Sequence, residues 1–277
     1  MKNYNIFQSG GDNLEIIETF VEGKKSEPVL CEDLIFISYD FIAVVDGVTS
    51  KSEKISEGLS GGRIVAQRIC ETVCQLPKDI DVFSAVSKIT EDIEGLYKAD
   101  EEKGSAAASA IIYSDYRKEI WSVGDCQCII NGEFFSHEKE IDSINSQMRA
   151  LILELFRQKG FTDEELREND KGREFIMPVL ENQHIFANKT GRYSYGVFNG
   201  EKVPKEHIVV HKVKAGDEII LASDGYPFLK ATLEESEKLL ENELKENPLC
   251  DKGYISTKGL NKGNKSFDDR AYIRFRS

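Results

Sequence analysis

Long apolar runs are missing from this 277-residue chain. The longest, 41–45, is far too short to span a bilayer. The start, Met1-Lys2-Asn3-Tyr4-Asn5, runs into a Ser9-Gly10-Gly11-Asp12-Asn13 turn and lacks the apolar stretch of a signal peptide. Positive charge is scarce too: 36 Lys and Arg stand against 49 Asp and Glu, a net charge of −13, and the basic residues are scattered among acids. A chain of that sign repels nucleic acid and anionic membranes, so neither is expected as a partner. Six cysteines are too few for a disulfide scaffold, and none forms a C-x-x-C pair or has a His at zinc-site spacing. They read as reduced, mostly core residues of a cytoplasmic protein. No G-x-S-x-G elbow is present, which excludes that class of serine hydrolase. No Walker-type Gly-rich loop is present either, which excludes nucleotide hydrolysis of that kind. There is no internal repeat and no low-complexity linker.

What is there is enough apolar material, 40% of the residues, for one sizeable core. Residues 14–21 read as a strand, and 34–38 and 41–45 flank a Tyr39-Asp40 corner as a hairpin. The period then changes. Val65, Ile69, Val73 and Leu76 recur at helical spacing, as do Val82, Val86, Ile89, Ile93 and Leu96, so helices are expected at about 56–76 and 80–99. Strands follow at 106–113, 120–123 and 126–130, the last leading into Asn131-Gly132, a hairpin signal because both residues tolerate positive φ. Residues 141–160 are helical in pattern, with Ile141, Ile144, Met148, Leu151, Leu155 and Phe156 on one face and Gly160 closing. The stretch 161–206 is the least legible. Strands resume at 207–213 and 218–223. Thr232-x-x-Glu235 starts a helix to about 247, the tail 252–265 is polar, and 271–275 is a last strand. This order predicts an α+β fold with mostly antiparallel sheet, in a single domain spanning 1–277.

Acidic residues recur at the ends of these strands. Asp46-Gly47 ends one, Gly124-Asp125 follows another, and Asp224-Gly225 a third; Asp268-Asp269 opens the last, and Glu32-Asp33 opens the strand at 34. Any one of them alone reads as a solvated turn. Together they also fit a shared site, because carboxylates buried near one another are costly without compensation. A hard divalent cation such as Mg²⁺, Mn²⁺ or Ca²⁺ supplies it through oxygen ligands. The glycines let a carbonyl or a ligand come close. Two ions sharing a carboxylate would suit hydrolysis of a phosphate ester.

At these residues the chain resembles the metal-dependent protein phosphatases of the 2C type. The resemblance lies in order and spacing over nearly the whole length: Glu32-Asp33, Asp46-Gly47, the two helices, Gly104-Ser105-Ala106-Ala107, Gly124-Asp125-Cys126, Ser223-Asp224-Gly225 and Asp268-Asp269. It implies two central, mostly antiparallel β-sheets in a sandwich flanked by α-helices, a four-layer αββα arrangement with the metals at one end. It further implies a metal-dependent phosphomonoester hydrolase, acting on phosphoserine or phosphothreonine in proteins with two Mn²⁺ or Mg²⁺ ions. Residue by residue, Asp46 would bridge both ions and Asp224 and Asp268 would complete one site. Glu32 and the carbonyl of Gly47 would serve the other, with Asp33 replacing Glu32 or holding a water. Asp125, with Asp224, would take a third ion of the kind seen in bacterial members. Asp46 and Asp224 are the residues expected to matter most for catalysis, and 137–206 would be the variable insertion and flap.

The departures are specific. Val48-Thr49-Ser50 stands where many relatives have the H-G-G whose His is proposed to protonate the leaving group. Ser26-Glu27-Pro28-Val29 stands where many eukaryotic members place a phosphate-holding Arg. Lys24 or Lys25 could reach in to take that place, but both read first as solvated surface lysines. Cys126 replaces the usual Ser, and Arg270-Ala271 the usual small residues. These changes motivate two rivals: a phosphatase of a small-molecule phosphate ester, and a pseudophosphatase that binds a partner. His207 and His211 are expected to share an exposed strand face, Trp121 is expected in the core, and His137 and His184 carry no assigned role.

Overall fold

The structure, a computed structural model, describes residues 14–25, 28–48, 59–99 and 106–277. The Ser9–Asn13 turn, Ser26-Glu27, Thr49-Ser50, positions 56–58 of the expected first helix and Gly104-Ser105 lie outside the described residues.

Twelve strands and six α-helices follow one another along these residues. β1 (Glu15–Glu22), β2 (Leu34–Ile37) and β3 (Phe41–Val48) precede α1 (Gly61–Gln75) and α2 (Val82–Ala99). β4 (Ala107–Ser114), β5 (Glu119–Val123), β6 (Gln127–Ile130) and β7 (Glu133–Phe135) come next. Then come α3 (Glu140–Gln158), α4 (Asp163–Glu168) and α5 (Lys171–Asn182). β8 (Val209–Lys212), β9 (Glu218–Ala222), α6 (Leu233–Glu246), the short β10 (Asp251–Lys252) and β11 (Tyr254–Ile255), and β12 (Arg270–Arg276) complete the order. Two five-stranded antiparallel sheets result, ordered β1-β12-β9-β6-β7 and β2-β3-β4-β5-β8.

The two sheets pack face to face, and β3 shows why. Its alternate residues point to opposite faces. Ile42 and Val44 meet Leu221, Ile273 and Phe275 of the other sheet. Ala43 and Val45 meet Val65, Ile69 and Ile89 of α1 and α2. Both faces of the strand are covered, so it reads as one unbroken apolar run. Trp121 lies in the layer under α1 and α2, as expected. The second helical layer is thinner. Tyr226, Leu229 and Leu233 cover part of the outer face of the β9–β12 sheet. The rest carries cross-strand ion pairs, Arg274 to Glu18 and Glu218 and Arg276 to Glu15.

Several local signals hold. Asn131 and Gly132 turn the β6–β7 hairpin with φ of 49° and 86°. Thr232 caps α6 by accepting from the Glu235 amide. Three readings are corrected. The stretch 161–206 holds α4, opened by a Thr162/Glu165 capping box, and α5, which carries Pro178 in its interior. His207 belongs to a short 3₁₀ turn outside β8, so it shares no strand face with His211, and His211 packs against Phe135 and His137. Finally, α3 buries Ile141, Asn145, Ser146, Arg149 and Leu153, and Phe156 packs against the Leu153 cluster, while the other members of the expected apolar face, Ile144, Met148, Leu151 and Leu155, face out.

Candidate active site

The acidic residues that end and open strands in the sequence come together at one end of the sandwich. Asp46 lies at the end of β3, opposite Ser109 of β4. Asp125 follows β5, Asp224 follows β9, and Asp268 and Asp269 precede β12. Glu32 and Asp33 precede β2. Antiparallel pairing puts the end of one strand beside the start of the next. Acids at alternating ends of neighbouring strands therefore collect on one rim.

The motif glycines are required by close backbone approach. A Cβ on Gly47 would sit 2.5 Å from the carbonyl oxygen of Gly62 in the first turn of α1 and 2.9 Å from that of Glu32. One on Gly225 would sit 2.1 Å from the carbonyl oxygen of Asp269. Gly124 has φ of 95°, and a side chain there would collide with Ser109. The glycines thus let β3 meet α1, and let the turn after β9 meet the start of β12, which brings Asp46 and Asp224 to the shared rim.

Supporting bonds fix the frame. Asp269 accepts from the backbone amides of Lys24 (2.7 Å) and Glu32 (3.1 Å), so it locks two segments far apart in sequence. Arg63 of α1 donates to the carbonyls of Cys31 and Asp33. Ser60, the N-cap of α1, donates to Glu32 Oε1 at 2.5 Å. Sequence reading passed over Ser60, although a Ser directly before Gly61-Gly62 and the helix is a cap signal.

The carboxylates divide into two electrostatic groups. Burial, and then the charges of Asp33 and Asp224, hold the Asp46 carboxyl well above the usual carboxylate range. Asp33 is raised by burial and by Asp269, Asp268 and Asp224, against the opposing hydrogen bond with Ser223. Its Oδ2 is buried with no hydrogen-bond partner. Burial, Asp268 and Asp125 push Asp224 up to about 7. The second group is held by lysines. For Asp268, burial is outweighed by Lys258 and Lys24, which bring it down to about 2. For Asp125, burial is outweighed by Lys139, and its carboxyl lies below the usual range. Lys24 Nζ sits 3.2 Å from both Asp268 and Asp269, Lys258 pairs with the other oxygen of Asp268, and Lys139 Nζ lies 2.6 Å from Asp125 Oδ2.

Lys24 is therefore part of the site, which corrects its reading as a solvated lysine; Lys25 is exposed, as expected. Lys139 and Lys258 went unnoticed. Lysine is solvated far more often than not, and neither lies near a motif in sequence. Of the acids expected here, Asp33, Asp46, Asp224 and Asp268 act on one another electrostatically, and Asp125 joins them through Asp46 and Asp224. Among the described residues, no three His, Cys, Asp or Glu side chains already converge as a metal cage.

The donor set nevertheless suits a hard divalent cation. The converging groups are carboxylate oxygens, one of them orphaned, and their raised pKa values express an unmet need for positive charge.

No protein-family model matches the chain, and no curated protein sequence does. Solved structures do. The chain is similar to the catalytic domain of the serine/threonine protein phosphatase PstP in complex with two manganese ions, at a TM-score of 0.52 and 14% identity, over 95% of this chain and 98% of that one. The Mycobacterium tuberculosis serine/threonine phosphatase PstP/Ppp gives 0.51 and 14%, over 95% and 98%. The serine/threonine phosphatase Stp1 from Staphylococcus aureus gives 0.51 and 12%, over 98% and 99%. The fold is that of the 2C-type phosphatases, so the likeness read from the order of the motifs holds in three dimensions.

Proposed function

We propose that the protein is a metal-dependent phosphomonoester hydrolase that removes phosphate from phosphoserine or phosphothreonine in proteins. The observation that carries this is the meeting of Asp33, Asp46 and Asp224 at one rim, with their carboxyls raised by burial and mutual repulsion. Such a cluster costs stability, and a bound cation reverses the cost. Asp46 would be the ligand that two ions hold in common. Asp224 and Asp268 would complete one site, and Glu32, the Gly47 carbonyl and Asp33 the other. When bound, a pair of Mn²⁺ or Mg²⁺ ions supplies Lewis acidity and a nucleophile at neutral pH.

The chain's own residues supply the rest. Asp269, Arg63 and Ser60 hold the ligand-bearing segments in place through the bonds described above. Lys24 and Lys258, partly exposed beside Asp268, are the cations best sited to bind phosphoryl oxygens. They stand in for the Arg that many relatives carry. The free cysteines, four of them buried, fit a reducing cytoplasmic setting, and no helix among the described residues is long and apolar enough to cross a membrane.

A second reading has an observation of its own. Lysines rather than a formed cage meet Asp125 and Asp268, which suits a partner-binding module without turnover. Hydrolysis of para-nitrophenyl phosphate in Mn²⁺, in Mg²⁺ and in EDTA, with Asp46→Ala alongside, separates the two. Turnover that needs metal and is lost in the variant is the expected result. Absence of turnover with every metal favours the binding module. A panel of phosphopeptides beside small phosphate esters then tests the protein substrate.

A further inference from the structure

At Asp125, as at Asp268, both carboxylate oxygens are already taken, but the lysine at Asp125 is more deeply buried than the two at Asp268. Ser109 Oγ donates to Oδ1 at 2.5 Å, and Lys139 Nζ donates to Oδ2 at 2.6 Å. Lys139 is no surface side chain bent inward, for only 11% of it is exposed. Its ammonium also lies 5.1 Å from the centre of the Tyr195 ring, where the aromatic face attracts a cation. The backbone holds it there. Lys139 is the extended residue before α3, and its carbonyl accepts from the amides of Asp142 and Ser143 in the first turn. Asp125, at the end of β5, is tied to β4 by Ser109. The pair therefore joins the sandwich to the first residue of the helical insertion, with Tyr195 from the far side of that insertion as the third wall.

An ion at Asp125 would have to break both hydrogen bonds and then sit beside a buried ammonium of like sign. Lysines hold the carboxyls of both Asp125 and Asp268 below the usual range, but Lys24 and Lys258 keep more than a quarter of their side chains in solvent and have room to swing clear of Asp268, whereas Lys139 is walled in.

We propose that Lys139 is a tethered counter-ion that takes the place of a metal at Asp125, so that the centre binds two divalent ions and no third, and the pair pins the start of α3 to the carboxylate rim. Asp125, expected from its motif to be a metal ligand, is instead the anchor of the insertion. The inference rests on the two-ion reading above.

Bound Mn²⁺ per chain, counted by calorimetry and by metal analysis at saturation, tests it. Wild type, Asp125→Asn and Lys139→Arg are each expected to hold two ions, and Lys139→Ala to hold three. Three ions in wild type falling to two in Asp125→Asn would overturn the proposal and leave the two-ion reading intact. So would a folded Lys139→Ala that stays at two. Fewer than two in wild type would overturn the two-ion reading, and this proposal with it. Lys139→Ala bares a buried carboxylate and puts folding at risk, so the nearly isosteric Asp125→Asn carries the test on its own: an unchanged count supports the proposal, and a lost ion sinks it.

Discussion

β3 and α3 are both rich in apolar residues, and they put them to opposite uses. In β3, Ile42, Ala43, Val44 and Val45 are completely buried, two toward the other sheet and two toward α1 and α2. In α3, Ile144, Met148, Leu151 and Leu155 line up at helical spacing and face out, and Leu151 is 60% exposed. The buried side of α3 mixes Ile141 and Leu153 with the polar Asn145, Ser146 and Arg149. Arg149 is wholly buried, donates to the carbonyls of Leu249, Cys250 and Ser256, and pairs with Asp170 at the start of α5. The sandwich is thus organised by burial of hydrocarbon, which is non-directional, and the helical insertion by a small apolar cluster of Leu153, Leu166 and Leu249 together with one cation that fixes specific carbonyls. Apolar packing tolerates changes of shape that conserve volume. The cation tolerates almost none, because a buried polar network is costly when half satisfied.

That contrast can be broken. Arg149→Met should destabilise the protein by about 3–5 kcal/mol, the range for removing one partner of a buried ion pair, and denaturant unfolding measures it. A smaller loss, under about 1 kcal/mol, would mean that the insertion is held by something other than Arg149.

A second effect separates the carboxylate rim from both regions. Asp33, Asp46 and Asp224 have folded-state pKa values above their unfolded ones, so the folded protein binds more protons than the unfolded chain above the usual carboxylate range. Stability in EDTA should therefore fall as pH rises from about 4 toward 7. Asp125 and Asp268 act the other way, and their share is lost as pH drops from about 4 toward 2. Thermal melts across pH should show the upper slope in EDTA and lose most of it in Mn²⁺.

The smallest effect sharpens the comparison from the other side. Leu151→Gln, on the exposed stripe of α3, should change stability by no more than about 0.5 kcal/mol. The same unfolding experiment checks it, and a loss of 2 kcal/mol or more would show that the stripe is covered.

The comparison also explains which parts of the molecule could be read from its sequence. The strands of the sandwich were legible because burial imposes a short period and strand ends carry punctuation. Asp46-Gly47 and Asp224-Gly225 mark the rim by the same rule, and Asn131-Gly132 marks a hairpin. The insertion obeys other rules. Pro178 signals a helix end, yet α5 carries it in its interior, and four of the apolar residues that line up on α3, Ile144, Met148, Leu151 and Leu155, point outward. The site's acids were visible for the same reason as the strands. Its lysines were not, because Lys24 reaches Asp268 across 244 positions and Lys139 and Lys258 sit in segments without a period. The ammonium groups are placed by tertiary contacts, which no local pattern records.

The most direct test is to remove one of the repelling carboxylates and follow stability rather than rate. Asp46→Asn takes away a buried charge that its neighbours push against. Acids kept together for a metal should leave Asp46→Asn melting higher than wild type in EDTA and gaining less than wild type from Mn²⁺. A variant that melts lower than wild type in EDTA and gains as much from Mn²⁺ would mean that Asp46 serves the fold and that the rim is not a metal centre.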